Sequence, residues 1–170
     1  MSATQGEIGL ARASGSAETV ASYPVQLEEI VKYAYARIGC LEDAEDVAVE
    51  VFETVYRLGE KLSRKKDPRA YLFGIARRKV ADKVRERART GPLLVDTSQD
   101  PSELNLIRQM IGQALDRLPD LQRDVLVLKY LHGFSVKEIA DVVGKSEAAV
   151  NSLLERARAS FAEHAPDLIS

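Results

Sequence analysis

From Ala44 to Leu62 the apolar residues Ala44, Val47, Ala48, Val51, Val55, Leu58 and Leu62 keep to helical steps of three and four. An α-helix that buries one face has this period, so one long amphipathic helix is predicted from about Glu42 to Leu62. The same period occurs upstream in Leu27, Ile30, Val31, Ala34 and Ile38, with Gly39 placed to end a first helix near residues 26–38. Strand-type alternation is absent from the sequence. Sheet-based folds are thereby excluded and the fold class is all-α.

Starts and stops divide the chain into two modules. Asp67 followed by Pro68 joins an N-cap side chain to a residue whose missing N–H is no loss at a helix start, opening a third helix to about Arg89. Residues 90–101 carry two prolines, a glycine and no helical period, and read as a flexible linker. A helix from Ser102 to about Leu118 is then interrupted by Pro119, and another runs to Leu131 ahead of Gly133. Ser135-Val136-Lys137-Glu138 has the spacing of a capping box and opens a short helix that Gly144 ends; Ser146 caps a last helix to about Glu163. The expectation is two small helical domains, 23–89 and 102–164, joined by the linker, with tails at 1–22 and 165–170.

At 45% hydrophobic and 29% charged, the 170 residues have the make-up of a soluble globular protein. A lone Cys40 excludes an intramolecular disulfide, and with only His132 and His164 beside it a four-ligand zinc site is not expected. No cofactor is expected either. No stretch reaches the roughly 18–20 apolar residues that span a bilayer, and the first 22 residues lack the basic start and apolar middle of a signal peptide. A cytoplasmic protein without membrane insertion is expected.

The net charge of -2 conceals blocks of opposite sign. Residues 42–53 hold six carboxylates and no Lys or Arg, and Asp43, Asp46, Glu50 and Glu53 step by 3, 4 and 3 into one stripe. Such a stripe is either a solvated face or a docking surface for a basic partner. Carboxylates in a bundle can also hold metals, but neither histidine stands in the Glu-x-x-His pairs that such sites use. Residues 57–89 reverse the sign, with thirteen basic residues against four acids. Tyr71, Arg78, Arg85 and Arg89 fall on one helix face, combining an aromatic ring with guanidinium groups as single-stranded nucleic acid requires. The alternative is that Tyr71 edges the core and the arginines only solubilise.

The last two helices have helix-turn-helix spacing in Ile139, Ala140, Val143, Gly144, Val150 and Leu154. If Val150, Leu154, Ala157 and Phe161 are buried, the outward residues are Ala148, Asn151, Ser152, Glu155 and Arg156, a face that would meet a major groove. A helical hairpin that merely packs is the plain alternative.

In order and wording these segments resemble a bacterial RNA polymerase sigma factor of the extracytoplasmic-function (ECF) type, over about 140 residues. Asp43 to Phe52 resembles the family's region 2.2, Arg69 to Arg77 its region 2.4, and Leu118 to Leu126 with Phe134 to Ala140 its region 4. The resemblance implies that 23–89 is the region 2 bundle and 102–164 the region 4 helix-turn-helix domain. It implies docking of Asp43, Asp46, Glu50 and Glu53 on the beta-prime clamp helices of the RNA polymerase core, with the beta flap as a further contact. Capture of the melted minus-ten promoter strand would fall to Arg64, Lys65, Lys66, Tyr71, Arg78, Lys79 and Arg85. Lys145, Ser146, Ala148, Asn151, Ser152, Glu155 and Arg156 would contact the minus-thirty-five element. Asp96, Asp100 and Glu103 suit a linker that imitates nucleic acid inside the core enzyme. An anti-sigma factor is a further implied partner, and the implied product is promoter-specific initiation, with all bond chemistry left to the polymerase.

Tyr71 stands where the family often has Trp, Arg78 where Asn is frequent, and Val49 where Gln is usual. Asn151 and Leu153 replace usual basic residues of the recognition helix. Residues 104–170 hold eight basic and nine acidic residues, so the second module has little electrostatic pull on DNA. The minus-thirty-five contact is therefore expected to be weak, unusual in sequence or assisted. Two other readings compete: a stand-alone helix-turn-helix regulator that binds duplex DNA without polymerase, and an all-α carboxylate-metal enzyme.

Overall fold

The computed structural model describes residues 27–90 and 103–166. The expected N-terminal tail, most of the linker with Asp96 and Asp100, and residues 167–170 lie outside the described residues; Ala165, expected in the C-terminal tail, is buried at the end of the last helix. Among the described residues there are helices and no strands: α1 (Leu27–Ile38), α2 (Leu41–Leu58), α3 (Glu60–Ser63), α4 (Pro68–Thr90), α5 (Glu103–Asp116), α6 (Asp120–Leu126), α7 (Val136–Val143) and α8 (Glu147–His164), with a π-helical turn, Val127–Leu131, continuing α6.

The all-α expectation holds, with one correction to its elements. The long helix predicted from Glu42 to Leu62 ends at Leu58, because Gly59 takes φ +50° and ψ −128°, a conformation that only glycine adopts freely. The chain then makes the short α3, which returns Leu62 to full burial. The apolar spacing survives the break, which is why periodicity alone reads through it. Asp67 caps α4 as predicted, its Oδ1 accepting from the Ala70 N–H at 3.0 Å.

In the second module, Arg123 is 8% exposed and closes the gap made by Pro119. Its guanidinium donates to the backbone carbonyls of Asp116 at 3.0 Å and Leu118 at 3.4 Å. These are the orphan acceptors at the end of α5, where a cation also complements the helix dipole. The capping box at Ser135 is complete: Ser135 N–H donates to Glu138 at 2.7 Å, and Glu138 N–H donates to Ser135 Oγ at 3.2 Å. Gly144 is left-handed (φ +69°), and Ser146 Oγ accepts from Ala149 N–H at 3.1 Å to start α8.

The two modules do not stand apart. Their buried residues form one continuous core, from Ile30 and Val47 through Phe73 to Phe134, Ile139 and Leu154. The seam runs between α1 and α4 on one side and α6, the π-helical turn and α7 on the other. Phe73, fully buried, sits at its centre, with ring centroids 4.7 Å from Phe134, 5.1 Å from His132 and 5.6 Å from Tyr33.

Candidate functional site

Helix α4 presents three faces, and each carries a different use of its basic residues. The face toward α2 places Lys79 Nζ 3.1 Å from Glu50, and Lys83 Nζ 3.9 Å from Asp43, which also pairs with Arg87. The face toward the second module carries Arg69, Phe73 and Arg77, spaced by four. The remaining face holds Arg78, Arg85 and Arg89, all exposed, with Tyr71 half-buried where it packs at the edge of the core.

These pairings divide the acidic stripe of α2. Asp43 and Glu50 turn toward α4 and are partly neutralised there; the Asp43 side chain is only 19% exposed. Asp46 and Glu53 point to solvent. Glu42, Val49 and Tyr56 share their strip by helical spacing and are exposed as well. The outward face of α2 is therefore acidic with an apolar seam, Val49 being 51% and Tyr56 42% exposed. Sequence reasoning noticed Val49 only as a departure and missed Tyr56. A large apolar residue inside an acidic helical strip was the available signal.

Arg64, Lys65 and Lys66 are exposed on the segment between α3 and α4, and Arg78 and Arg85 on α4 itself. Lys65 Nζ lies 4.6 Å over the half-buried Tyr71 ring, and Arg85 pairs with Asp82 at 2.6 Å. One strip thus combines an aromatic ring with four unburied cations and a fifth held by a neighbour one turn away. Lys79 stands apart from that strip, on Glu50. The chemistry available is phosphate attraction beside a stacking surface.

On α8, Val150, Leu154 and Ala157 are buried as expected and Phe161 is half-buried. Leu153, which stands where a basic residue is usual, is buried too and serves packing. Lys145, Ser146, Ala148, Asn151, Ser152, Glu155 and Arg156 are all exposed. That face is mixed in charge and short of cations.

Arg69 and Arg77, counted in the basic block, are used at the module seam. Arg69 donates to the His132 carbonyl at 3.1 Å with its guanidinium 4.0 Å above the Phe134 ring. Arg77 Nε donates to Asp124 Oδ2 at 2.9 Å. Burial in this seam, aided by the positive charges of Arg69 and Lys32, pushes the His132 imidazole down to about 4. Burial, and then the Asp124 carboxylate, raises the Tyr33 phenol well above its usual range. Among the described residues no group of three or more His, Cys, Asp or Glu is disposed to hold a metal ion.

Two family models match the chain: Sigma-70 region 2 over residues 26–90 and Sigma-70, region 4 over residues 108–161. The ECF RNA polymerase sigma factor BldN of Streptomyces coelicolor is 33% identical over 156 residues, covering 85% of this chain; the chain spans 59% of that relative's length. The ECF RNA polymerase sigma factor SigL of Mycobacterium tuberculosis is 31% identical over 163 residues, covering 87% of this chain and 92% of the relative. Among solved structures, the sigma factor RpoE co-crystallised with the anti-sigma factor NepR from Bartonella quintana superposes with a TM-score of 0.68. That match covers 81% of this chain and 90% of the other at 23% identity, a likeness of fold.

Proposed function

The chain belongs to the ECF class of the sigma-70 family, and from that premise we propose that it binds RNA polymerase core and directs promoter-specific transcription initiation. The observation that carries the proposal is the order of three surfaces in one chain: an acidic-apolar helix face, a basic-aromatic helix face and a helix-turn-helix with its recognition face free. Each has the chemistry of one task. Asp46 and Glu53, flanking Val49 and Tyr56, offer charge and apolar area to a basic protein helix pair such as the beta-prime clamp. Asp43 and Glu50 support that face from beside it.

Arg64, Lys65, Lys66, Arg78 and Arg85 attract the phosphates of a melted minus-ten strand, and Tyr71 offers a base its ring once Lys65 moves aside. Lys79 contributes through Glu50, by ordering α4 against α2. The exposed residues Lys145, Ser146, Ala148, Asn151, Ser152, Glu155 and Arg156 face the minus-thirty-five element, with Asn151 and Arg156 the side chains suited to base edges. The module limits 23–89 and 102–164 belong to the same proposal. So does an anti-sigma partner, supported by the family and by a fold shared with a sigma factor crystallised with one. The protein itself performs no bond chemistry in this reading, and it acts in the cytoplasm, where its polymerase is. Among the described residues no helix is long and apolar enough to cross a membrane.

A stand-alone duplex-binding regulator is not favoured. It leaves the region 2 match without a role, and the poorly basic α8 gives little affinity for DNA by itself. Run-off transcription with bacterial core polymerase and fragments of the source genome tests the proposal. Transcripts that require this protein, with start points downstream of a shared minus-ten-like sequence, are expected. Specific shifts of duplex DNA by the protein alone, with no added transcription, would favour the regulator instead.

A further inference from the structure

A cleft of about 380 Å³ lies between α1, α4 and α6, and four guanidinium groups line it: Arg37 from α1 and Arg77, Arg78 and Arg85 from α4. Three carboxylates share the cleft without neutralising it evenly. Asp124, 2% exposed, is committed: its Oδ2 accepts from Arg77 Nε at 2.9 Å and its Oδ1 from the Tyr33 hydroxyl at 3.2 Å. Asp82 and Asp120 have side chains 73% and 75% exposed, where water and salt weaken their hold on Arg85 and Arg37. Arg78 is exposed and, among the described residues, has no carboxylate partner. Arg37 Nε lies 2.9 Å from Asp124 Oδ1 but out of line for a hydrogen bond, so a buried N–H there lacks an aligned acceptor. The cleft is left with an excess of positive charge and of N–H donors.

The spacing of those donors selects the ligand. Arg77, Ala81 and Arg85 step by four along one ridge of α4, and the small Ala81 side chain leaves room between two guanidinium groups. Arg78 and Arg85 stand two helical turns apart, roughly 10 Å, which is more than a single phosphate spans. Guanidinium forks engage phosphate oxygens two at a time. Among the described residues lining the cleft none is aromatic, so recognition falls to the anion and not to a base. Arg37 is buried and Arg77 half-buried. A compact anion reaches them; a strand whose sugars flank every phosphate is held at the exposed rim.

We propose that this cleft binds a small anion of two or more linked phosphates, free or as the tail of a nucleotide, with Arg77 and Arg78 on one phosphate and Arg85 on the next. The site goes beyond the function proposed above, and only its effect rests on that reading. A bound diphosphate takes Arg78 and Arg85 away from the melted minus-ten strand, so ligand and strand compete.

Titration calorimetry of the full chain with inorganic pyrophosphate, at low salt and without divalent metal, tests the site. One pyrophosphate per chain is expected, with orthophosphate at least about tenfold weaker because it reaches one end of the cleft only. Ala81→Leu fills the gap and keeps every arginine; it should weaken binding at least about tenfold with helix content retained by circular dichroism. Arg78→Ala with Arg85→Ala should do the same by removing charge. Arg57→Ala with Lys61→Ala, which removes two exposed cations outside the cleft, should bind as the wild type does. ADP identifies the source: binding tighter than pyrophosphate assigns a nucleotide, and equal or weaker binding a free polyphosphate. The inference is overturned by the absence of saturable binding, by an Ala81→Leu chain that binds as tightly as the wild type, or by an equal loss in the Arg57 and Lys61 variant. Displacement of a labelled single-stranded minus-ten oligonucleotide by pyrophosphate checks the effect. Pyrophosphate bound by a chain that takes up no single strand would count against the proposed strand capture and not against the site.

Discussion

Asp43 and Asp46 lie three residues apart on α2, yet one faces Arg87 and Lys83 and the other faces solvent. A sequence assigns both to one stripe, because spacing fixes the angle around a helix to within a turn and not which neighbour the angle meets. Asp124 is the sharper instance: nothing local distinguishes it from any acidic residue in a helix, and its burial depends on two arginines 47 and 87 positions away. His132 is a third residue whose setting only the fold supplies. Its imidazole is held near 4, against an ordinary 6.5, by burial and by Arg69 and Lys32; Glu29, which pairs with Arg69 at 3.6 Å, is the acid on that side. The unfolded chain takes up a proton at this residue below about 6.5, and the folded chain refuses it until about 4. Unfolding therefore binds the extra proton in that window, so stability conferred by neutral His132 is intact above about 6.5 and declines as pH falls toward 4. Thermal midpoints of the wild type and His132→Gln followed from pH 7.5 to 4.5 check this. The wild type should lose midpoint more steeply with acid than the variant, and parallel profiles would refute the assignment.

Elements were the most legible level. Helix starts at Pro68, Val136 and Glu147 follow from side chains that satisfy backbone donors locally, at Asp67, Ser135 and Ser146, and such chemistry is visible in a few consecutive residues. The break in α2 was not legible, because Leu58 and Leu62 preserve the apolar step across it and the glycine between them can be read as a tolerated interior residue. The backbone at Gly59 shows otherwise. Gly59→Ala is expected to destabilise the protein by about 1–3 kcal/mol, since a side chain there must adopt a strained conformation or straighten the helix and withdraw Leu62 from the core. Urea unfolding measures the loss. An unchanged or raised midpoint would mean that α2 accepts continuation through residue 59.

At the scale of the molecule, the two modules were legible and their docking was not. Composition and period identify the surfaces that meet solvent or core, but Arg69, Phe73 and Arg77 carry the same residue types as a nucleic-acid face. The long-range pairing with Asp124, His132 and Phe134 is what claims them for the seam. The basic block is accordingly divided among an α2 brace, a seam and a free face, and the net charge of -2 hides all three. The proposed function depends first on the free face of α2 meeting polymerase. Equilibrium binding to bacterial core RNA polymerase, by fluorescence anisotropy of the labelled full chain, tests this most directly. The wild type should bind and compete with other sigma factors. Asp46→Arg with Glu53→Arg should weaken binding at least about tenfold with helix content intact, as reversal of contact charges does at a complementary interface. Asp43→Ala should change affinity far less, since its carboxylate is spent on Arg87 and Lys83. A wild-type chain that does not bind core, or a double charge reversal that binds as tightly as the wild type, would contradict the account.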